Sequence, residues 1–154
     1  DGQIMKILLG KKDYYIFDLP SCFPRQYILV KGRRNWTEAQ SYCREKFTDL
    51  ATVNSEEDAQ SLNQLLHFAG LNQSQVWIGL FGDMRDFRGW SWSLLNDSYY
   101  GEGEADFRMW DTQDYGHDPG DCAYIHTGTK KWRSVHCSTG APSTCYHGEK
   151  KTTR

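Results

Sequence analysis

Long hydrophobic runs are missing from this sequence. No segment approaches the about 18 consecutive apolar residues that a membrane-spanning helix needs, so nothing in it inserts into a bilayer. A charge excess is missing too: 18 basic and 20 acidic residues leave a net charge of −2. That balance implies no polyanionic partner and excludes nucleic acid as the expected ligand. The motifs of common catalytic sites are absent: there is no HExxH, no nucleophile elbow and no phosphate-cradling glycine loop. The histidines, His67, His117, His126, His136 and His147, are scattered. His117 beside Asp114 and Asp118 comes nearest to a metal group, and a loop histidine of this kind is ordinarily a surface residue. An enzyme is therefore not expected. Internal repeats and low-complexity segments are also lacking.

Cysteine, by contrast, is present five times, with no C-x-x-C pair at zinc spacing. Cysteines in that arrangement imply disulfides and an oxidising, extracellular compartment. Asparagine also occurs only five times, yet three of the five stand in glycosylation sequons, at Asn35, Asn72 and Asn96. The opening stretch, DGQIMKILLGKKDYY, holds an apolar run far too short for a signal peptide, as expected of a mature or excised chain.

Three of the cysteines lie between Gly120 and Cys145. Cys122 and Cys137 flank two short apolar runs, Ala123-Tyr124-Ile125 and Trp132 to Val135, separated by the turn-like Thr127-Gly128-Thr129-Lys130. A Cys122–Cys137 bridge clamps that hairpin and closes a loop of about fifteen residues, for roughly 3 kcal/mol in the chain-entropy model. Cys145 then needs a distant partner, and Cys43 is the best candidate. That loop of about a hundred residues contributes roughly 4–5 kcal/mol. Cys22 is left over.

In chain order, residues 1–23 are an extension in which Tyr14 to Phe17 reads as a strand or a linker. Tyr27 to Val30 is a short strand, with Lys31-Gly32-Arg33-Arg34 as its closing turn. A helix follows, with Thr37 as N-cap and Gln40 completing a capping box. Ala39, Tyr42, Cys43 and Phe47 fall near one face of it, which holds Cys43 inward. Leu50 to Val53 is a strand-like link. A second helix, capped by Asn54 or Ser55, carries Ala59, Leu62, Leu65, Leu66 and Ala69 at helical spacing and stops at Gly70. Val76 to Leu80 is a buried strand, and Trp90-Ser91-Trp92-Ser93 alternates as a half-buried one should. From Leu94 to Gly120 the periodicity disappears. A loop this long in a compact domain is more often functional than idle, with Trp110 as its internal anchor. Thr144-Cys145-Tyr146 is the terminal strand, and residues 147–154 form a tail or linker.

WTEAQSYC at 36–43, DLATVNSEED at 49–58, WIGL at 77–80, WSWS at 90–93 and the DC…W…C…C frame at 121–145 resemble the C-type lectin-like domain, over roughly residues 24–146. The resemblance is strongest to fish secreted lectins and mannose-receptor-like modules. It implies an α+β fold: two helices packed on small antiparallel sheets, a long irregular loop and two core disulfides. The family's disulfide pairing is the one reached above. The resemblance also makes Trp77, Trp90 and Trp92 core residues.

Sugar-binding members of the family hold calcium in the long loop. The ion needs six to eight oxygens, and two sugar hydroxyls complete its shell. The resemblance assigns those oxygens to three places. The first is a Glu-Pro-Asn or Gln-Pro-Asp tripeptide, matched here by Thr112-Gln113-Asp114-Tyr115, without the proline. The second is a glutamate before the Asp-Cys pair, where this chain has Gly120. The third is Trp-Asn-Asp, where it has Trp132-Arg133-Ser134. A cation at a cation site repels instead of coordinating. No cofactor is therefore expected. Asp111, Asp114, Asp118 and Asp121 remain weak candidates for a different calcium site, against the plainer reading of a solvated loop.

The expected function is that of an extracellular recognition module, secreted or part of a receptor ectodomain, that binds a protein or glycan without the usual calcium site. Aromatic and arginine side chains favour interfaces, which makes Arg108, Trp110, Gln113, Asp114, Tyr115, Trp132 and Arg133 the candidate ligand-binding residues. The alternatives are a calcium-dependent lectin with an altered site and an ice-binding protein. The latter shares the fold, but this chain has no flat threonine-rich array. Cys22 is expected either to form an intermolecular disulfide, giving a dimer with added avidity, or to lie buried beneath residues 1–20.

Overall fold

The computed structural model describes the backbone of residues 14–16 and the full structure of residues 26–71, 74–82, 89–94, 106–111 and 122–148. Cys22, Asn72, Asn96, Gln113, Asp114, Tyr115, Asp118 and Asp121 lie outside the described residues.

Strand β1 (Tyr14–Ile16) pairs antiparallel with β2 (Gln26–Arg34). Of the two readings of Tyr14 to Phe17, the strand holds over Tyr14–Ile16, and Phe17 lies outside the described residues. β2 does not end at Val30. It continues through Lys31–Arg34, with a register irregularity between Val30 and Arg34, because Arg34 still finds Ala141 as a partner across the sheet. The expected turn is therefore strand, extended by a neighbour that local sequence does not show.

Helix α1 (Trp36–Lys46) begins one residue before the expected cap. Its N-cap is Asn35, whose Oδ1 accepts from the Glu38 N–H at 2.8 Å, while Glu38 Oε1 accepts from the Asn35 N–H at 3.1 Å. Asn35–Glu38 thus forms the capping box in place of Thr37–Gln40. The earlier start places Trp36 inside the helix. Its indole is buried and donates from Nε1 to the Ile78 carbonyl at 2.9 Å, and its backbone N–H donates to the Cys137 carbonyl at 3.0 Å.

β3 (Asp49–Leu50) leads to α2 (Glu56–Phe68). Ser55 is the N-cap, accepting from the Asp58 N–H, and three carboxylates in the first turn suit the positive end of the helix. Ala59, Leu62, Leu65 and Leu66 are buried as their spacing requires. Gly70 ends the turn at φ +75°, a left-handed conformation that costs glycine little.

β4 (Gln75–Gly82), β5 (Trp90–Trp92), β6 (Cys122–His126), β7 (Lys131–Val135) and β8 (Ala141–His147) complete the sheet. Its order is β1-β2-β8-β4-β6-β7, with β3 on β8 and β5 on β4. All pairings are antiparallel except β4 with β8, which meet in parallel at Trp77 and Ser143. That contact joins into one mixed sheet what the resemblance implied would be separate antiparallel ones. The junction is tight. Gly79 donates to the Ala51 carbonyl at 2.8 Å, and a Cβ there would stand 3.0 Å from that oxygen and 3.1 Å from the Leu50 carbonyl. The glycine of the WIGL segment is thus required by backbone approach.

Both expected disulfides are present. Cys43–Cys145 ties α1 to β8, and Cys122–Cys137 clamps the β6–β7 hairpin.

Candidate functional site

The returning limb of the long loop, residues 106–111, packs against β7. Trp110 and Trp132 form an isolated parallel bridge. The Trp132 N–H donates to the Met109 carbonyl at 2.9 Å, and the Asp111 N–H donates to the Trp132 carbonyl at 2.8 Å. Beneath the bridge lies an aromatic cluster. Trp110 sits 4.8 Å from Trp90 between ring centroids and 6.2 Å from Trp132, while Trp92 and Phe107 meet the Trp132 ring edge-on at 5.5 and 6.0 Å. Edge-on and offset contacts suit the ring quadrupoles. Trp110 is the internal anchor expected of it. Trp90 and Trp92 are core, as is Trp77.

This packing divides the candidate ligand residues. Trp132 is only 1% exposed, so its side chain offers a ligand no surface; it belongs to the core. Trp110 keeps part of its ring at the surface. Arg108 is held in place, with its guanidinium carbon 5.7 Å from the Trp92 ring centroid, Nη1 donating to the Phe107 carbonyl at 2.8 Å and Nη2 to the Trp90 carbonyl at 3.4 Å.

On β7, Trp132 points inward and Arg133 therefore outward. Arg133 meets Asp111 through two donors on one oxygen: Nε lies 2.9 Å and Nη2 2.8 Å from Oδ2. Asp111 is 9% exposed. The hydrogen bond to Asp111, reinforced by Tyr124 across the β6–β7 pairing, raises the Arg133 pKa above its already high ordinary value. The guanidinium is charged at every accessible pH. Two of the sequence candidates, one proposed for ligand and one for metal, are thus brought together, and each neutralises the other. Asp111 Oδ2 is engaged by a cation, which does not fit a calcium donor. Among the described residues no group of three or more Asp, Glu, His or Cys side chains is placed to hold a metal ion.

A buried polar network was not legible beforehand. Asp49, 3% exposed, accepts from the Ser93 hydroxyl at 2.5 Å, from the Leu50 N–H at 2.8 Å and from Arg44 Nε at 3.3 Å. Gln40 donates to Ser93 Oγ at 2.9 Å, and Arg44 Nη2 to the Ser93 carbonyl at 3.0 Å. It connects α1, β3 and the end of β5, so its role is structural. The signal was the DL pair at 49–50, which periodicity cannot distinguish from a solvated aspartate.

A chain with two helices on a mixed sheet, a long-range disulfide, a clamped hairpin and a loop anchored by tryptophan is a stapled scaffold that presents a loop. The family model for the Lectin C-type domain matches residues 32–147, and the chain belongs to that family. Among curated proteins it is 30% identical over 128 residues to proteoglycan 3 of Mus musculus, covering 82% of this chain and 53% of that protein. Lithostathine of Rattus norvegicus is 28% identical over 123 residues, covering 77% of this chain and 70% of the relative. The chain thus spans about half the length of the first relative and more of the second. In fold, the solved structure of human lithostathine matches with a TM-score of 0.68 at 24% identity, over 82% of this chain and 94% of that one.

Proposed function

We propose that this chain is an extracellular recognition module that binds a protein or glycan ligand on the face carrying Arg108, Trp110 and Arg133, and that it does so without calcium. The carrying observation is the ion pair of Arg133 with Asp111 at 2.8 Å, at a position where sugar-binding relatives are expected to offer an uncharged oxygen donor. A guanidinium in that place offers hydrogen-bond donors to a ligand's carbonyl, carboxylate or hydroxyl groups, and its bond to Asp111 takes up a carboxylate oxygen that a divalent cation would need. The aromatic cluster supports the same reading, since it holds the arginines on a rigid base and lowers the ordering cost of binding. Two disulfides support an oxidising compartment. Cys22 is the cysteine this reading leaves for a disulfide-linked dimer.

The test is thermal denaturation in EDTA and in millimolar calcium, with retention on mannose-agarose under both conditions. A ligand that binds only the folded state raises Tm by mass action. The expected result is the same Tm and the same retention with and without calcium. A Tm rise in calcium that disappears on changing Gln113 and Asp114 to alanine would establish instead a calcium lectin with an altered site.

A further inference from the structure

Of the three glycosylation sequons, Asn35-Trp36-Thr37 is the one that falls wholly within the described residues. Its acceptor asparagine is the N-cap of α1 and stands between two anchored neighbours. On one side the Arg34 carbonyl accepts from Trp77 Nε1 at 2.9 Å. On the other, Trp36 is fixed by the bond of its indole to the Ile78 carbonyl and of its N–H to the Cys137 carbonyl. The Asn35 carbonyl itself accepts the first helical bond, from the Ala39 N–H at 2.9 Å.

The side-chain amide has one possible orientation. The Glu38 N–H can only donate, so the atom 2.8 Å from it is the amide oxygen, and Nδ2 is directed the other way. The second bond of the capping box runs from the Asn35 backbone N–H to Glu38 Oε1 at 3.1 Å. Nδ2 takes part in neither bond. Asn35 is half-buried and Thr37 is exposed, while the Trp36 side chain between them is only 6% exposed. The cap therefore uses the oxygen half of the amide, and the sequon chemistry needs only the nitrogen half.

We propose that Asn35 carries an N-linked oligosaccharide, attached in the secretory pathway before α1 docks on the sheet. The donor class is an oligosaccharide carried on a lipid pyrophosphate. Asn35 Nδ2 forms a bond to the anomeric carbon of the first sugar. The bond from that carbon to the phosphate oxygen breaks, and the lipid pyrophosphate leaves with the electron pair. One Nδ2 proton passes to a base of the transferase, and nothing is oxidised or reduced. The product is a secondary amide that keeps Oδ1, so the bond from the Glu38 N–H and the helix cap both survive. The modification uses none of Arg108, Trp110 or Arg133, and stands whether or not that face binds a ligand.

The order of events follows from Trp36. A transferase that reads an Asn-x-Thr sequon must hold the acceptor amide, the residue after it and the hydroxyl two positions on. In the folded chain, seating those three residues in an enzyme site would unwind the first turn of α1 and withdraw the Trp36 indole from the core. Transfer therefore belongs to the chain before the Cys43–Cys145 bridge fastens α1 to β8.

The test is glycopeptide mass mapping of the full chain secreted from eukaryotic cells, beside its Thr37→Ala and Thr37→Ser variants. Asn35→Gln is the poorer choice, because it removes acceptor and cap together. Thr37→Ala removes only the recognition hydroxyl, from an exposed position, and after glycan trimming its Tm should match that of the wild type. The Asn35 peptide should carry an N-acetylhexosamine-based glycan in most wild-type and Thr37→Ser molecules, and lose it in Thr37→Ala. A second measurement addresses timing, with purified oligosaccharyltransferase and a lipid-linked donor. Unglycosylated chain folded with both disulfides should accept no glycan at Asn35, whereas the same chain reduced and alkylated should accept one. A bare Asn35 in the secreted wild type would overturn the proposal. So would failure of the unfolded chain as an acceptor, or transfer to folded and unfolded chains at the same rate.

Discussion

α1 and α2 rest on the same sheet but are held there by different means. α2 buries Ala59, Leu62, Leu65 and Leu66 in an apolar cluster shared with β2, β4 and β6. Its attachment is hydrophobic burial, about 1.5–3 kcal/mol per large aliphatic side chain. α1 buries only Trp36, Ala39 and Cys43. It makes up the difference with directional contacts: a disulfide to β8, the indole bond to Ile78, the backbone bond to Cys137 and the Arg44–Asp49–Ser93 network. A helix with a weak apolar stripe can still be fixed in place when covalent and polar bonds define where it sits. α2 is thus fastened to the sheet through a single apolar face. α1 is committed on more sides.

The largest expected effect tests that difference directly. Changing Cys43 and Cys145 together to serine should cost about 4–5 kcal/mol, as the chain-entropy model gives for a closed loop near a hundred residues. Chemical denaturation of the two proteins under non-reducing conditions measures it. If the loss is smaller than that of a single core leucine, covalent fastening of α1 is not what distinguishes the helices. The next effect belongs to α2. Leu65 is fully buried, and Leu65→Ala should cost about 3 kcal/mol through lost transfer energy and the cavity left behind. A loss under about 1 kcal/mol would mean that the α2 face repacks freely and is not the apolar anchor described here.

The smallest effect concerns the polar side. Ser93→Ala removes the hydroxyl that bridges Gln40 and Asp49, and should cost about 1–2 kcal/mol. Asp49 retains the Leu50 N–H and Arg44, which limits the loss. A double-mutant cycle with Arg44→Ala should show coupling between the two positions. Strict additivity would show that the network is a set of independent bonds and does little to set the position of α1.

Much of this was legible in the residues. Leu62, Leu65 and Leu66 announced the buried face of α2, because helical period and apolar side chains report directly on burial. The two cysteine pairs followed from the hairpin frame and from loop length. The N-cap of α1 was misplaced because NWTEAQ contains two overlapping box patterns, Asn35–Glu38 and Thr37–Gln40. The choice between them depends on where Trp36 finds Ile78 and Cys137. The strand character of Lys31–Arg34 was hidden for a similar reason. A basic segment with a glycine reads as a turn until a partner strand takes its backbone bonds.

The site divides in the same way. That Arg133 stands where a calcium ligand is expected is a statement about sequence position, and the sequence alone made it. That Trp132 is buried and that Asp111 is the carboxylate Arg133 reaches were decided only by the tertiary structure. Local pattern specifies which way a side chain points along its own strand or helix. Which residue lies opposite it depends on contacts between segments separated by tens of residues, set by the β4–β8 junction and the packing of the aromatic cluster, and no periodicity within either segment encodes them.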